Sequence, residues 1–261
     1  MCLLASAAFA TAFALILGGC QTASSPIVTG SINPSPQPGS DLRRDTAFWA
    51  ERYNKNPQDP EAAIRYAYAL RASGQRSQAA AVLEQASING PKNSAVLGAY
   101  GRALADIGNY QQALEVLGRA HTPDQPDWRI LSAQGAVLDQ MGRHEEAQRH
   151  YSAALKIAPD EASVLSNLAL SYALSKDLPK AEATLRRASE RRDAEPRVRQ
   201  NLALIVGLQG RFAEAETIAR GDLSREEAAA NVAYLQQMLA QQGDWKKLRS
   251  PHGALKQAGR S

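Results

Sequence analysis

The chain has 261 residues, of which 44% are hydrophobic, 21% charged and 6% aromatic, and a formal net charge of +4. The positive excess sits in Asp244 to Ser261, where Lys246, Lys247, Arg249, Lys256 and Arg260 face a single acid. The rest of the mature chain is therefore neutral, without the basic stripe and interleaved aromatics that nucleic-acid binding needs. The two cysteines, Cys2 and Cys20, make neither a zinc pair nor a structural disulfide.

Residues 1–19 carry no charge and contain the apolar run Leu3 to Leu17. That run is shorter than the roughly 20 residues needed to span a bilayer, so it reads as a secretory signal, though one lacking the usual Lys or Arg near its start. It ends Leu17-Gly18-Gly19-Cys20, which resembles the bacterial lipobox. The resemblance implies cleavage before Cys20, diacylation of its thiol and acylation of the new amino end. Each buried acyl methylene contributes about 0.8 kcal/mol, so two or three chains anchor stably. Cys2 would leave with the signal. Residues 20–40 are rich in Ser, Pro and Gly, with Pro26, Pro34, Pro36 and Pro38. This composition predicts a disordered tether, about 25 Å long as a coil and about 60 Å when extended. Gln21, in place of Asp after the lipid-bearing Cys, resembles an outer-membrane address of enteric bacteria. The expected location is the envelope, lipid-anchored in the outer membrane and facing the periplasm.

Residues 41–243 are predicted to be one helical solenoid. Ala recurs every 34 residues at Ala79, Ala113, Ala147, Ala181 and Ala215. Twelve residues before each stands Ala67, Gly101, Gly135, Ala169 or Ala203, and seven after stand Ala86, Ala120, Ala154 and Ala188, until Asp222 breaks the series. Small residues at fixed steps let helix axes approach to about 8–10 Å. A glycine turn separates the two helices of each unit at Gly74, Gly108, Gly142 and Gly210, with Lys176 in its place in the fourth. Large apolar residues such as Leu131, Leu138, Tyr151 and Leu155 fill the seam, and Pro91 and Pro159 close two units. This pattern resembles the tetratricopeptide repeat, whose period is 34 residues. The units fall at 60–93, 94–127, 128–161, 162–195 and 196–229, the fifth degenerate in its second helix. Asp41 to Asn54, with Trp49 at the aromatic step, reads as a lone second helix covering one end, and Arg225 to Gln242 as a first helix covering the other. Residues 244–261 are expected to be a basic, solvated tail.

Catalytic and metal motifs are missing from this pattern. His121, His144, His150 and His252 have no metal spacing, and His144 and His150, six apart, fall on different helix faces. No nucleophile elbow, P-loop or dinucleotide fingerprint occurs. No cofactor and no enzyme activity are expected. What remains is a groove. In tetratricopeptide arrays it is lined by first-helix steps 2, 5, 6, 9 and 12, which here puts forward Arg65, Tyr68, Arg71, Arg102, Asn167 and Asn201. Asn at step 6 of such arrays holds a ligand's backbone through its amide, and arginines meet carboxylates bidentately. Arg186, Arg187, Arg191 and Arg192 fall on a second helix and read as solvated outer surface.

The order of lipobox, proline-rich tether and repeats, closed by Asn231 to Leu239 and Trp245-Lys246-Lys247-Leu248, resembles the TadD family. These are the tetratricopeptide lipoproteins of the tight-adherence (Flp) pilus assembly system. The resemblance implies a scaffold that binds protein partners of the pilus or secretion machinery, such as its secretin, with membrane contact through the lipid. A pilotin-like or cell-wall-associated repeat lipoprotein of another envelope system is the alternative.

Overall fold

The computed structural model describes residues 38–191 and 195–249; the lipobox at Cys20, nearly all of the expected tether, Arg192 and the end of the basic tail lie outside them. Among the described residues are twelve helices and no strand. The first helices of the repeats are α2 (Pro60–Ala72), α4 (Ser94–Asp106), α6 (Trp128–Gln140), α8 (Ala162–Leu174) and α10 (Pro196–Leu208), starting at the boundaries the 34-residue register predicts. The second helices are α3 (Arg76–Asn89), α5 (Tyr110–Gly118), α7 (His144–Ile157), α9 (Leu178–Ser189) and α11 (Phe212–Ala219). α1 (Pro38–Lys55) and α12 (Arg225–Arg249) cover the ends. α1 starts inside the expected tether, and α12 runs through Arg249, into the stretch expected as tail.

The local chemistry explains these bounds. Each first helix is preceded by an acid or amide one full repeat from the last: Asp59, Asn93, Asp127, Glu161 and Glu195. The first four accept backbone N–H bonds from the first turn, as Asp127 does from Arg129 N at 2.7 Å. Such caps satisfy donors that a helix start leaves unpaired. α12 opens with a reciprocal capping box, in which Ser224 Oγ accepts from Glu227 N and Glu227 Oε2 accepts from Ser224 N. α5 ends early at Gly118, ahead of a loop holding Pro123 and Pro126.

Packing obeys the small-residue register. Ala79, Ala113, Ala147, Ala181 and Ala215 are all buried. Where the step is glycine, a large side chain takes the space: a Cβ on Gly101 would lie 2.5 Å from Leu117 Cγ, and one on Gly135 2.7 Å from Tyr151 Cε1. Trp49 stands three repeats before Tyr151, but among the described residues no first helix precedes α1. Its ring is therefore only partly covered, with the Arg52 and Arg65 guanidinium groups 5.5 and 6.0 Å from its centroid. Each helix packs on its chain neighbours, and successive first helices also touch, α2 with α4 and so on to α10 with α12. Among the described residues the backbones of successive second helices do not approach in this way, and α9 and α11 are linked instead through side chains, by the Arg186–Glu214 ion pair. The first helices thus line the inner, more closely packed face.

Candidate functional site

The inner face carries a groove of about 700 Å³ between α2, α4, α6 and α8. Three of the six expected residues meet there, Arg71, Arg102 and Asn167, joined by Arg76, Trp128 and Arg129. Among its lining residues four are arginines and one, Asp106, is an acid. Arg71 is ion-paired with Asp106 one repeat later. Arg102 donates to the carbonyls of Gly98 and Arg129, both at 3.1 Å, and so ties α4 to α6. Burial pushes its guanidinium below the ordinary value; Arg71 and Arg129 push the same way, against Tyr68 and Asp127. The Arg129 guanidinium lies 4.5 Å from the centroid of the Trp128 ring. A positively charged wall with an aromatic face suits a carboxylate-bearing ligand.

The other three expected residues do not line this groove. Arg65 pairs with Glu61 at 2.8 Å, one turn back on its own helix. Tyr68 is exposed, at 44%. Asn201 sits one repeat beyond Asn167, and the two make equivalent bonds: Asn167 Nδ2 donates to Ser132 Oγ at 3.4 Å and Asn201 Nδ2 to Ser166 Oγ at 2.8 Å. Each amide is thereby oriented by the preceding first helix, with its carbonyl oxygen still an acceptor for a ligand N–H. Arg129 and Ser132 stand at steps 2 and 5 of the third unit, within reach of the step rule. Arg76 and Tyr110 begin second helices, and no such rule points to them.

The second-helix arginines are tied rather than merely solvated. Arg186 bridges Glu182 and Glu214, Arg187 donates to the Pro159 carbonyl and pairs with Asp160, and Arg191 pairs with Asp160 at 3.5 Å. Arg211 joins the same Glu182 from the next repeat. Burial acts to raise the Glu182 carboxyl, but hydrogen bonds from Arg211, Gln209 and Arg186 outweigh it and hold the group down to about 2. Asp222, which breaks the small-residue series, is met by both nitrogens of the Arg199 fork, Nε at 2.7 Å. Two histidines of α7, His144 and His150, are partly buried. His144 Nδ1 lies 2.9 Å from Asp139 Oδ1, in a cluster where Tyr151 and Ser171 donate to the same carboxylate. Burial holds His150 below its usual value. Among the described residues no three His, Cys, Asp or Glu side chains converge as metal ligands, and no helix is long and apolar enough to cross a membrane.

A family model for subunit 3 of the anaphase-promoting complex (cyclosome) matches residues 42–120, and a tetratricopeptide-repeat model matches residues 129–194. A search of curated proteins finds no significant match. Among solved structures, a tetratricopeptide repeat protein from Parabacteroides merdae aligns with TM-score 0.64 at 13% identity, covering 76% of this chain and 79% of its own. PilW, described as a widely conserved type IV pilus biogenesis factor, aligns with TM-score 0.60 at 18% identity over 77% of this chain and 92% of its own. PilF of Pseudomonas aeruginosa aligns with TM-score 0.54 at 16% identity over 74% and 91%. At these identities the likeness is one of fold. Register, packing and comparison agree on it: the chain is built as a tetratricopeptide-repeat α-solenoid.

Proposed function

We propose that this protein is a non-catalytic adaptor of the cell envelope, anchored by lipid at Cys20, that holds a segment of a protein partner in its first-helix groove during assembly of a tight-adherence (Flp) pilus or its secretion machinery. The observation that carries the adaptor reading is the groove itself, where Arg71, Arg76, Arg102 and Arg129 meet an oriented Asn167. Such a surface recognises an extended, acidic segment through main-chain and carboxylate contacts. The pilus assignment draws on the closing Asn231 to Leu239 and Trp245 to Leu248 segments. The shared fold with PilW, itself a pilus biogenesis factor, is compatible with it.

Affinity capture of the full chain from solubilised membranes tests this. Pilus-assembly components, such as a secretin, should accompany the wild type. They should be lost from a variant carrying Asn167→Ala, Asn201→Ala and Arg129→Ala whose helical circular dichroism is unchanged. Loss through Arg129→Ala should weaken at high salt, since partly exposed charges are screened over about 8–10 Å. Unchanged capture would remove the inner face as the binding site, and partners from another envelope system would favour the pilotin-like reading. Cys20→Ser should move the chain into the soluble fraction; its retention with membranes would end the anchor proposal.

A further inference from the structure

The inner face changes character along its length. At the α12 end a second groove, of about 390 Å³, opens between α10 and α12. Its walls are Leu204, Leu208, Leu223, Tyr234, Leu235 and Met238, and its polar lining groups are the amides of Gln200 and Asn231 and the Tyr234 hydroxyl. Leu204, Tyr234 and Met238 are 42, 65 and 41% exposed, so a large apolar surface stands open to water there. Monomeric proteins rarely leave such a patch uncovered without a use for it. None of its lining side chains is charged, so the occupying segment is apolar and uncharged. The arginine groove three first-helix steps away demands the opposite. Between them lies Asn201, held by Ser166, next in chain to Gln200 of the apolar groove and one repeat beyond Asn167 of the charged one. The two grooves thus lie on the same first-helix face, with their nearest lining residues, Asn167 and Gln200, on the successive first helices α8 and α10.

We infer that one partner segment occupies both grooves, with an acidic cluster against Arg71, Arg76 and Arg129 and an uncharged aliphatic or aromatic anchor between α10 and α12. This rests on the adaptor reading of the inner face and adds to it the partner's composition and spacing. Three steps between helix axes about 10 Å apart give about 30 Å, the span of about nine extended residues. Linking two weak sites in this way makes the second contact intramolecular and raises affinity well beyond either half.

Three synthetic peptides measured against the full chain by fluorescence anisotropy test the inference: four acidic residues, nine Gly/Ser residues and an Ile-Leu-Phe-Leu anchor in one chain; the acidic part alone; and the anchor part alone. The linked peptide should bind at least about tenfold more tightly than either half. Arg76→Glu should weaken the acidic and linked peptides only, and Leu204→Glu the anchor and linked peptides only. Binding of the acidic half with no gain on linkage would overturn the two-groove ligand while leaving the adaptor reading intact. Failure of both halves to bind would count against the adaptor reading itself. A sedimentation mass that falls from dimer to monomer in Leu204→Glu would also overturn the inference, since the occupant of the apolar groove would then be a second copy. So would displacement of the anchor peptide by palmitate, which would make the occupant a lipid chain.

Discussion

Lys176 is the residue whose backbone is least suited to its place. It is the one non-glycine with positive φ among the described residues, at 67°, where the other four turns have glycine at 75–83°. A Cβ in the left-handed region costs roughly 1–2 kcal/mol, and glycine removes that cost at the expense of unfolded-state entropy. Lys176→Gly is therefore expected to stabilise by about 0.5–1 kcal/mol, raising the melting temperature by about 1–4 °C for a solenoid of this size; an unchanged or lower value would show that the turn is not strained. Asp222 illustrates the reverse case, a broken series that carries its own compensation. The small-residue rule identifies it as an exception but cannot supply Arg199, which reaches it from the preceding first helix. Arg199 holds that carboxyl below its ordinary range. Glu182 gives the larger acid effect. Its carboxyl moves from 4.5 to about 2 on folding, so the stability it contributes is complete above about pH 4.5 and is lost as the pH falls from there toward 2. Thermal unfolding at pH 6 and pH 3 should show the wild type losing more stability on acidification than Glu182→Gln. Parallel losses would mean that the Arg186, Arg211 and Glu182 cluster does not couple the repeats.

At the level of elements, starts are set more sharply than ends. Every first helix begins where the register places it, because an acid or amide cap, a small residue at the crossing and a turn before the second helix all recur with one period. Ends depend on the connection each helix runs into. α5 spans only 9 residues and α11 only 8; prolines and Gly221 in the connections are visible in the sequence, yet their effect on length depends on how the next helix seats. α12 outlasts its expected end because nothing in Asp244 to Arg249 breaks a helix, although those residues read as a charged tail. It closes on α10 at Gly207, where a Cβ would lie 2.5 Å from Leu235 Cδ2. The same dependence on a missing side chain governs the central unit. Gly135→Leu would drive a side chain into Tyr151 and should cost about 1–3 kcal/mol or more by overpacking. Since repeats are stable only through their neighbours, hydrogen exchange should quicken in α4 and α8 as well as in α6 and α7. Protection lost from the mutated repeat alone would argue against coupled stacking.

For the whole molecule, the fold is written in periodic chemistry and the binding surface is not. A 34-residue register fixes which residues lie between helices, so the solenoid and its caps are legible from one chain. The inner face is built across repeats, where step 6 of one first helix bonds step 5 of the one before, as Asn201 does with Ser166. That offset comes from how the units stack. The step rule thus reaches Arg71, Arg102 and Asn167, misses Arg76, and places Arg65 where it is already paired. The second-helix arginines show the same limit, since Arg186 and Arg187 reach partners 28 and 27 residues away in neighbouring repeats. The central claim is that partners bind the first-helix face. Site-specific photo-crosslinking in intact cells measures it most directly, with the reactive side chain placed either at Gln140, which lines the arginine groove, or at Ser152, exposed on the second helix α7. A crosslinked partner from Gln140 and none from Ser152 is the predicted result; crosslinks from Ser152 with none from Gln140 would contradict it.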